Sequence, residues 1–334
     1  MRRPAPARSN ALVAGVASVA LVASVVLVTG AGEARADVGP LSKPKKDDRT
    51  AELPKFPATV DDLSAPRLPP PFVLPELSHP SWDVSMGWLV GVASPSSSPS
   101  DRADRTSSAV GLARVTAEGD VGFPRRFYLG LTVPFAGALA PDGTSGVKTV
   151  LGNIEPHVRV VFPLPTWLAF GGVLGIVVPT ARYEHGSGAE AASMIAASLE
   201  PTDAAHFAPE TFALRPAVDV RVLRGPFVVQ VRQGVDVVLD TSVWRAVTTG
   251  RLLGHGGLRV RRDVEISIEA TQAYSFDDRI SERHRSAITI GPGARLSLGA
   301  VDVGAAVLTN VFEPLSPDID RFVAVRLSVV AHLE

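Results

Sequence analysis

From Trp82 onward, apolar and polar residues alternate with period two in segments of strand length, separated by polar or Gly- and Pro-bearing connections. In residues 154–162, Glu155, His157 and Arg159 share one face, while Ile154, Val158, Val160 and Phe162 share the other. The split recurs with Arg215, Asp219 and Arg221 against Leu214, Val218, Val220 and Val222, and with Gln230, Arg232 and Asp236 against Val229, Val231, Val235 and Val237. Glu265, Ser267 and Glu269 likewise alternate with Val264, Ile266 and Ile268. A tilted strand of about 9–11 residues crosses the hydrocarbon of a bilayer. Cut at that length, the chain yields about twelve strands, starting near Trp82, Ser107, Arg126, Asn153, Trp167, Thr211, Pro226, Gly250, Val264, Ser286, Val301 and Arg321.

The connections alternate in length. Long polar ones are expected at 94–106, 140–151, 180–210, 240–249, 277–285 and 313–320, with tight turns at 163–166, 224–225, 261–263 and 299–300 and an intermediate one at 117–125. Outer-membrane barrels keep short periplasmic turns and long outer loops. The pattern therefore predicts an all-β fold, a transmembrane antiparallel up-and-down β-barrel of about twelve strands. A soluble secreted β-sandwich acting as a binding module also alternates, with its apolar face inward, and is the competing fold. The apolar face here is aliphatic on nearly every strand, and aromatics (Phe127, Tyr128, Phe162, Trp167, Tyr274, Phe276, Phe312, Phe322) fall near strand ends, where a membrane interface places them.

The start of the chain agrees with export. Arg2, Arg3 and Arg8 precede an uncharged aliphatic stretch over 11–29, and Ala34-Arg35-Ala36 has the small residues of a cleavage site, so 1–36 is expected to be a signal peptide. Residues 37–80 carry ten of the chain's prolines and no sustained apolar period, which predicts a Pro-rich periplasmic extension. Its 72–77 segment is a candidate hatch folding back into the pore. The barrel is assigned to 81–334. Removing 1–36 takes away four basic residues and one acidic one, leaving a net charge of about −4, which is no footprint for nucleic acid. Cysteine is absent, so disulfides do not brace the fold.

Residues 150–159 (Val-Leu-Gly-Asn-Ile-Glu-Pro-His-Val-Arg), then Phe162-Pro163-Leu164-Pro165, and 171–180 (Gly-Gly-Val-Leu-Gly-Ile-Val-Val-Pro-Thr) resemble the central strand pair of the barrel family named for the meta-pathway of phenol degradation. There a Gly-Asn or Gly-Asp opens a strand, and the next, Gly-rich strand ends in Pro-Thr. The chain is similar, more distantly, to long-chain fatty-acid transporter barrels. The resemblance implies an outer-membrane channel for small hydrophobic or aromatic solutes. The terminal His332-Leu333-Glu334 departs from the final aromatic common in such barrels.

In this register Glu155, His157, Arg159, Arg215, Asp219, Arg221, Arg232, Asp236, Arg259, Glu265, Glu269, Arg295, Asp302 and Arg326 point into the lumen. Such charges either pair across strands and fill a narrow interior or line a path for polar solutes. Catalytic signals are weak. There is no Gly-x-Ser-x-Gly elbow, and Gly254-His255-Gly256-Gly257 lies within a strand. Scattered histidines form no metal-binding pair, so no cofactor or metal is expected, and a lipid-facing Ser/His esterase is the weakest alternative. In the 180–210 loop, Met194, Ile195 and Leu199 fall at helical spacing, predicting a short helix over 189–199 that either enters the mouth or caps the rim. The expected partners are outer-membrane lipid and small solutes. The leading function is a passive outer-membrane channel or transporter, against a non-conducting structural or adhesive barrel that presents its loops.

Overall fold

A computed structural model describes residues 82–95, 108–120, 127–139, 147–163, 168–184, 187–240, 245–261, 263–311 and 319–333. The expected signal peptide, the Pro-rich extension with its hatch, and Trp167 and Phe312 lie outside the described residues. Among those described, thirteen strands form one antiparallel sheet. They are β1 (Trp82–Pro95), β2 (Ser108–Asp120), β3 (Phe127–Leu139), β4 (Val147–Leu151), β5 (Glu155–Pro163), β6 (Leu168–Val177), β7 (Thr211–Arg224), β8 (Phe227–Asp240), β9 (Arg245–Arg259), β10 (Val264–Ser275), β11 (Ser286–Ser297), β12 (Val301–Asn310) and β13 (Ile319–Leu333). Between β6 and β7 lies one helix, α1 (Gly188–Leu199), followed by a 3-10 turn at Ala204–His206.

Neighbours in sequence pair as neighbours in space, and β1 pairs with both β2 and β13, so the sheet closes into a ring. β4 and β5 occupy one position. β4 pairs with the far half of β3 (Phe135 opposite Leu151) and β5 with the near half (Thr132 opposite Glu155), so they are one strand broken at Gly152-Asn153-Ile154. The barrel is thus a closed ring of twelve positions. Closure pairs the strands around the ring with one another, which is what a strand needs in hydrocarbon, where no water can pair with its backbone. Gly225 (φ 57°) and Gly299 (φ 85°) turn two of the short connections in a conformation that side chains rarely adopt.

The barrel is polar within and apolar without. Ile268 on β10 is 58% exposed, whereas Glu265 and Glu269 on the same strand are 0% exposed. Val90, Leu131, Leu174, Val218, Val237, Ile290, Val307 and Val325 continue the exposed aliphatic face around the ring. A water-soluble sandwich buries the opposite face, so the two faces decide against it. The β-barrel is of the transmembrane kind, with lipid as the solvent of its outer wall. No helix among the described residues is long and apolar enough to cross a membrane.

Several boundaries differ from the sequence reading. β9 begins at Arg245, five residues ahead of the expected Gly250, so the connection from β8 is only 241–244. Thr248 and Thr249 are β-branched and extend the pair with β8 beyond the apolar belt, where no alternation is required. Val147–Leu151, assigned to a loop, pairs with β3. Tyr128 and Phe322 are buried and face inward, because alternation forbids Phe127 and Tyr128 from sharing one face. Phe127, Phe162 and Phe276 do lie on the outer face.

Candidate functional site

The break between β4 and β5 organises the mouth of the barrel. The Gly152 amide still donates to Pro134 on β3 at 2.8 Å, but the Asn153 amide turns inward and donates to the His206 carbonyl at 2.6 Å. Asn153 is 0% exposed. Its side-chain amide nitrogen donates to the Ala205 and Ala208 carbonyls at 2.9 and 2.5 Å, and its oxygen accepts from the Ala181 amide at 2.8 Å. One asparagine thus ties both ends of the β6–β7 connection to the wall. Thr180 completes the tie, donating to the Gly152 carbonyl at 3.1 Å and accepting from the Ile154 amide at 2.9 Å. A Cβ at position 152 would overlap the His206 carbonyl and press on Pro134, so glycine is what lets the segment seat so closely. The Gly-Asn and Pro-Thr pairs read in the sequence are the two halves of one clasp.

Held there, residues 178–184 and 187–210 fold into the barrel instead of capping it. Ser187 caps α1 by accepting from the Glu190 amide at 3.2 Å. Ala192, Ala196, Leu199 and Phe207 are buried, and the last three belong to one apolar cluster with Leu89, Leu112, Ala136, Val150 and Phe322 of the wall. Met194, 58% exposed, marks the face of α1 turned to solvent. Tyr183 donates to the Phe207 carbonyl at 3.0 Å, and Ser193 donates to the same oxygen.

Beyond the helix, acidic groups of the segment meet bases of the wall. The Glu200 carboxylate bridges Arg114 on β2 and Arg326 on β13, at 2.7 Å to each. Asp203 reaches Arg114 at 3.1 Å and Arg215 on β7 at 2.6 Å. Arg215 also donates to the Thr202 carbonyl at 2.8 Å and contacts Asp236 at 3.2 Å and Glu155 at 2.5 Å. Arg251 faces Asp236 at 2.6 Å. His206 Nε2 meets Glu155 at 2.5 Å and has Arg215 3.1 Å away. Burial raises the Asp203 pKa, but Arg114 and Arg215 outweigh it and hold the carboxyl well below its ordinary range. Burial, then Arg215, lowers the His206 pKa against the opposing pull of Glu155. A neutral ring donating from Nε2 to Glu155 fits both the geometry and that direction.

Two further layers lie deeper. Arg159 grips Glu118 with two bonds of 2.6 and 2.8 Å and stacks over Tyr128 at 4.6 Å, with His157 3.8 Å from Glu118. Arg232 holds Asp219 through bonds of 2.6 and 2.7 Å. Towards the short-turn rim, His255 contacts Glu265 at 2.8 Å and Glu269 at 3.5 Å, with Arg295 3.2 and 3.4 Å from the same two carboxylates. His332 meets Asp302 at 2.8 Å. Arg221 stands opposite Gln230, and Arg259 opposite Glu265. All fourteen residues chosen from the sequence therefore lie on the inner face, and most are drawn into ion pairs. Arg114, Glu118, Glu200, Asp203, His206 and Arg251 join them without having been expected there, and Asn153 was expected only as half of a strand-opening Gly-Asn pair. Arg251 shares the parity of His255 and was within reach of the same argument. Ser187 and Glu190 have capping-box spacing, which marks where α1 starts.

No protein-family model matches the chain, and no curated protein matches it. Among solved structures, an outer-membrane channel from Pseudomonas putida F1 aligns over 82% of this chain and 99% of that one, with TM-score 0.55 and 11% identity. The NanC porin aligns over 76% of this chain and all of its own, with TM-score 0.45 and 10% identity. The CymD monoaromatic hydrocarbon channel covers 77% of this chain and 89% of its own, with TM-score 0.40 and 7% identity. The first of these likenesses shows the fold, that of an outer-membrane β-barrel.

Proposed function

We propose that this protein is a passive outer-membrane channel for small solutes, held closed by residues 178–184 and 187–210 folded into its mouth. The carrying observation is the set of polar ties between that segment and the wall: the ion pairs of Glu200 with Arg114 and Arg326 and of Asp203 with Arg114 and Arg215, and the hydrogen bond of His206 to Glu155. A segment held by side-chain charges, the Asn153 and Thr180 clasp and one apolar cluster, with Met194 and Arg182 facing solvent, can leave without unravelling a strand. The resemblance of the Gly-Asn and Pro-Thr strand pair to the phenol-degradation barrel family supports hydrophobic or aromatic solutes. In this reading residues 1–36 direct export and are removed, and 37–80 form a periplasmic extension.

The test is planar-bilayer conductance of the purified chain beside a variant in which 187–204 is replaced by a short Gly/Ser linker. The wild type is expected to show rare, small openings and the variant a several-fold larger current. An unchanged, silent variant overturns the channel reading. The alternative is a non-conducting barrel whose interior is filled by its own charges, and the three ion-paired layers speak for it.

A further inference from the structure

Glu200 does in this barrel what the carboxylate of a solute would do. Its two oxygens are divided between two guanidinium groups on separate strands, Arg114 and Arg326, at 2.7 Å each. Neither arginine needs Glu200 to exist as part of the wall: both arise from strands whose pairing is independent of the segment. Guanidinium groups recognise carboxylates by charge and by directed N–H donors, so two that converge on one carboxylate form a site for any carboxylate of suitable shape.

What adjoins the pair gives the shape. A small cleft of about 40 Å³ is bounded by Arg114, Arg326 and Glu200 on its polar side and by Leu89, Leu112 and Phe207 on its apolar side. Leu89 and Leu112 are buried and face each other across the β1–β2 pair. A charged end beside an apolar lining suits a small apolar group carrying one carboxylate, seated in the cleft and in the space that Glu200 leaves. It suits neither a sugar, whose hydroxyls would lose water against leucine and phenylalanine, nor a neutral hydrocarbon, which would leave the arginines unaddressed.

We propose that the Arg114–Arg326 pair is a binding site for small apolar monocarboxylates, occupied at rest by Glu200, and that such a solute displaces Glu200 and loosens the segment that closes the mouth. This rests on the channel reading and names its solute class. The energetic logic is competition. Glu200 is tethered and so present at high effective concentration, which keeps the site filled until a free carboxylate with added apolar contact outcompetes it. A solute that binds the arginines only when Glu200 has left must shift the segment towards release, since it has affinity for that state alone.

The experiment is calorimetric titration of the full-length purified protein with benzoate, with benzyl alcohol as the neutral ring and acetate as the carboxylate without a ring. Glu200→Gln removes the internal competitor while keeping the side-chain size, and is expected to bind benzoate about tenfold tighter than the wild type. Arg326→Gln is expected to lose benzoate binding. Leu112→Trp, which fills the cleft and leaves every charge in place, is expected to lose it as well. Benzyl alcohol and acetate are each expected to bind far more weakly. Equal benzoate affinity in the wild type and Glu200→Gln, or equal binding of benzyl alcohol, overturns the proposal. Benzoate binding that follows these expectations in a protein whose linker variant stays silent would keep the site and remove the channel. A conducting linker variant with no benzoate site would do the reverse.

Discussion

Asn153 ties the inward segment to the wall through a single side chain. It is fully buried and spends both amide hydrogens and its oxygen on backbone groups of the inward segment. A buried hydrogen bond contributes about 0.5–1.5 kcal/mol net, and leaving its partner unsatisfied costs more. Asn153→Ala, which strips three of them, is therefore expected to weaken docking of the segment by about 3 kcal/mol while the barrel itself survives. Tryptic cleavage after Arg182 is expected to become much faster, with the heat-modifiable gel shift of the folded barrel unchanged. A loss of the gel shift would mean that Asn153 supports the wall rather than the clasp. The pattern around this residue was legible, because Gly152-Asn153 and Pro179-Thr180 stood out in the sequence. Their joint purpose was not, because Asn153 acts through carbonyls at 205 and 208, some fifty positions away, and no periodicity carries that information.

At the level of elements, the strands were readable because one face meets lipid and the other meets charge, which fixes period two and register together. Where the chain leaves the belt the signal fades, and the start of β9 and the whole of β4 were missed there. The helix was readable from its spacing, and its destination inside the mouth was not, since Glu200 and its partners Arg114 and Arg326 are 86 and 126 positions apart. Docking of this element is expected to depend on pH, with a sign set by two groups. Both Asp203 and His206 have pKa values depressed by docking, so each stabilises the docked state above its ordinary pKa and loses that contribution as pH falls. For His206 the loss begins below about 6.5, as the free ring gains a proton that the docked ring resists. For Asp203 it begins below about 3.9, as the released carboxyl protonates first. Open probability in bilayers is thus expected to stay flat from pH 8 to 7 and to climb on acidification, in two stages. A His206→Gln variant is expected to lack the first stage, and a profile identical to wild type would contradict the assignment.

For the whole molecule, the inverted arrangement of its faces is the governing fact. The outer wall gains nothing from water, and the inner wall is held by arginines and carboxylates that no soluble core of this size would assemble without cost. The two faces should therefore respond in opposite ways to one chemical change. Arginine placed at Ile268, 58% exposed in the middle of β10, would sit in hydrocarbon, where a basic group costs about 2–4 kcal/mol near the midplane. In lipid, the urea midpoint for unfolding is expected to fall accordingly. In a soluble protein, the same exposed position would accept arginine with a change within about 0.5 kcal/mol. Ile268→Arg measured in liposomes thus reads the solvent of the outer wall directly: a drop places position 268 in lipid, and an unchanged midpoint places it in water, with the charged lumen then left as the unexplained interior of a protein that never enters a membrane.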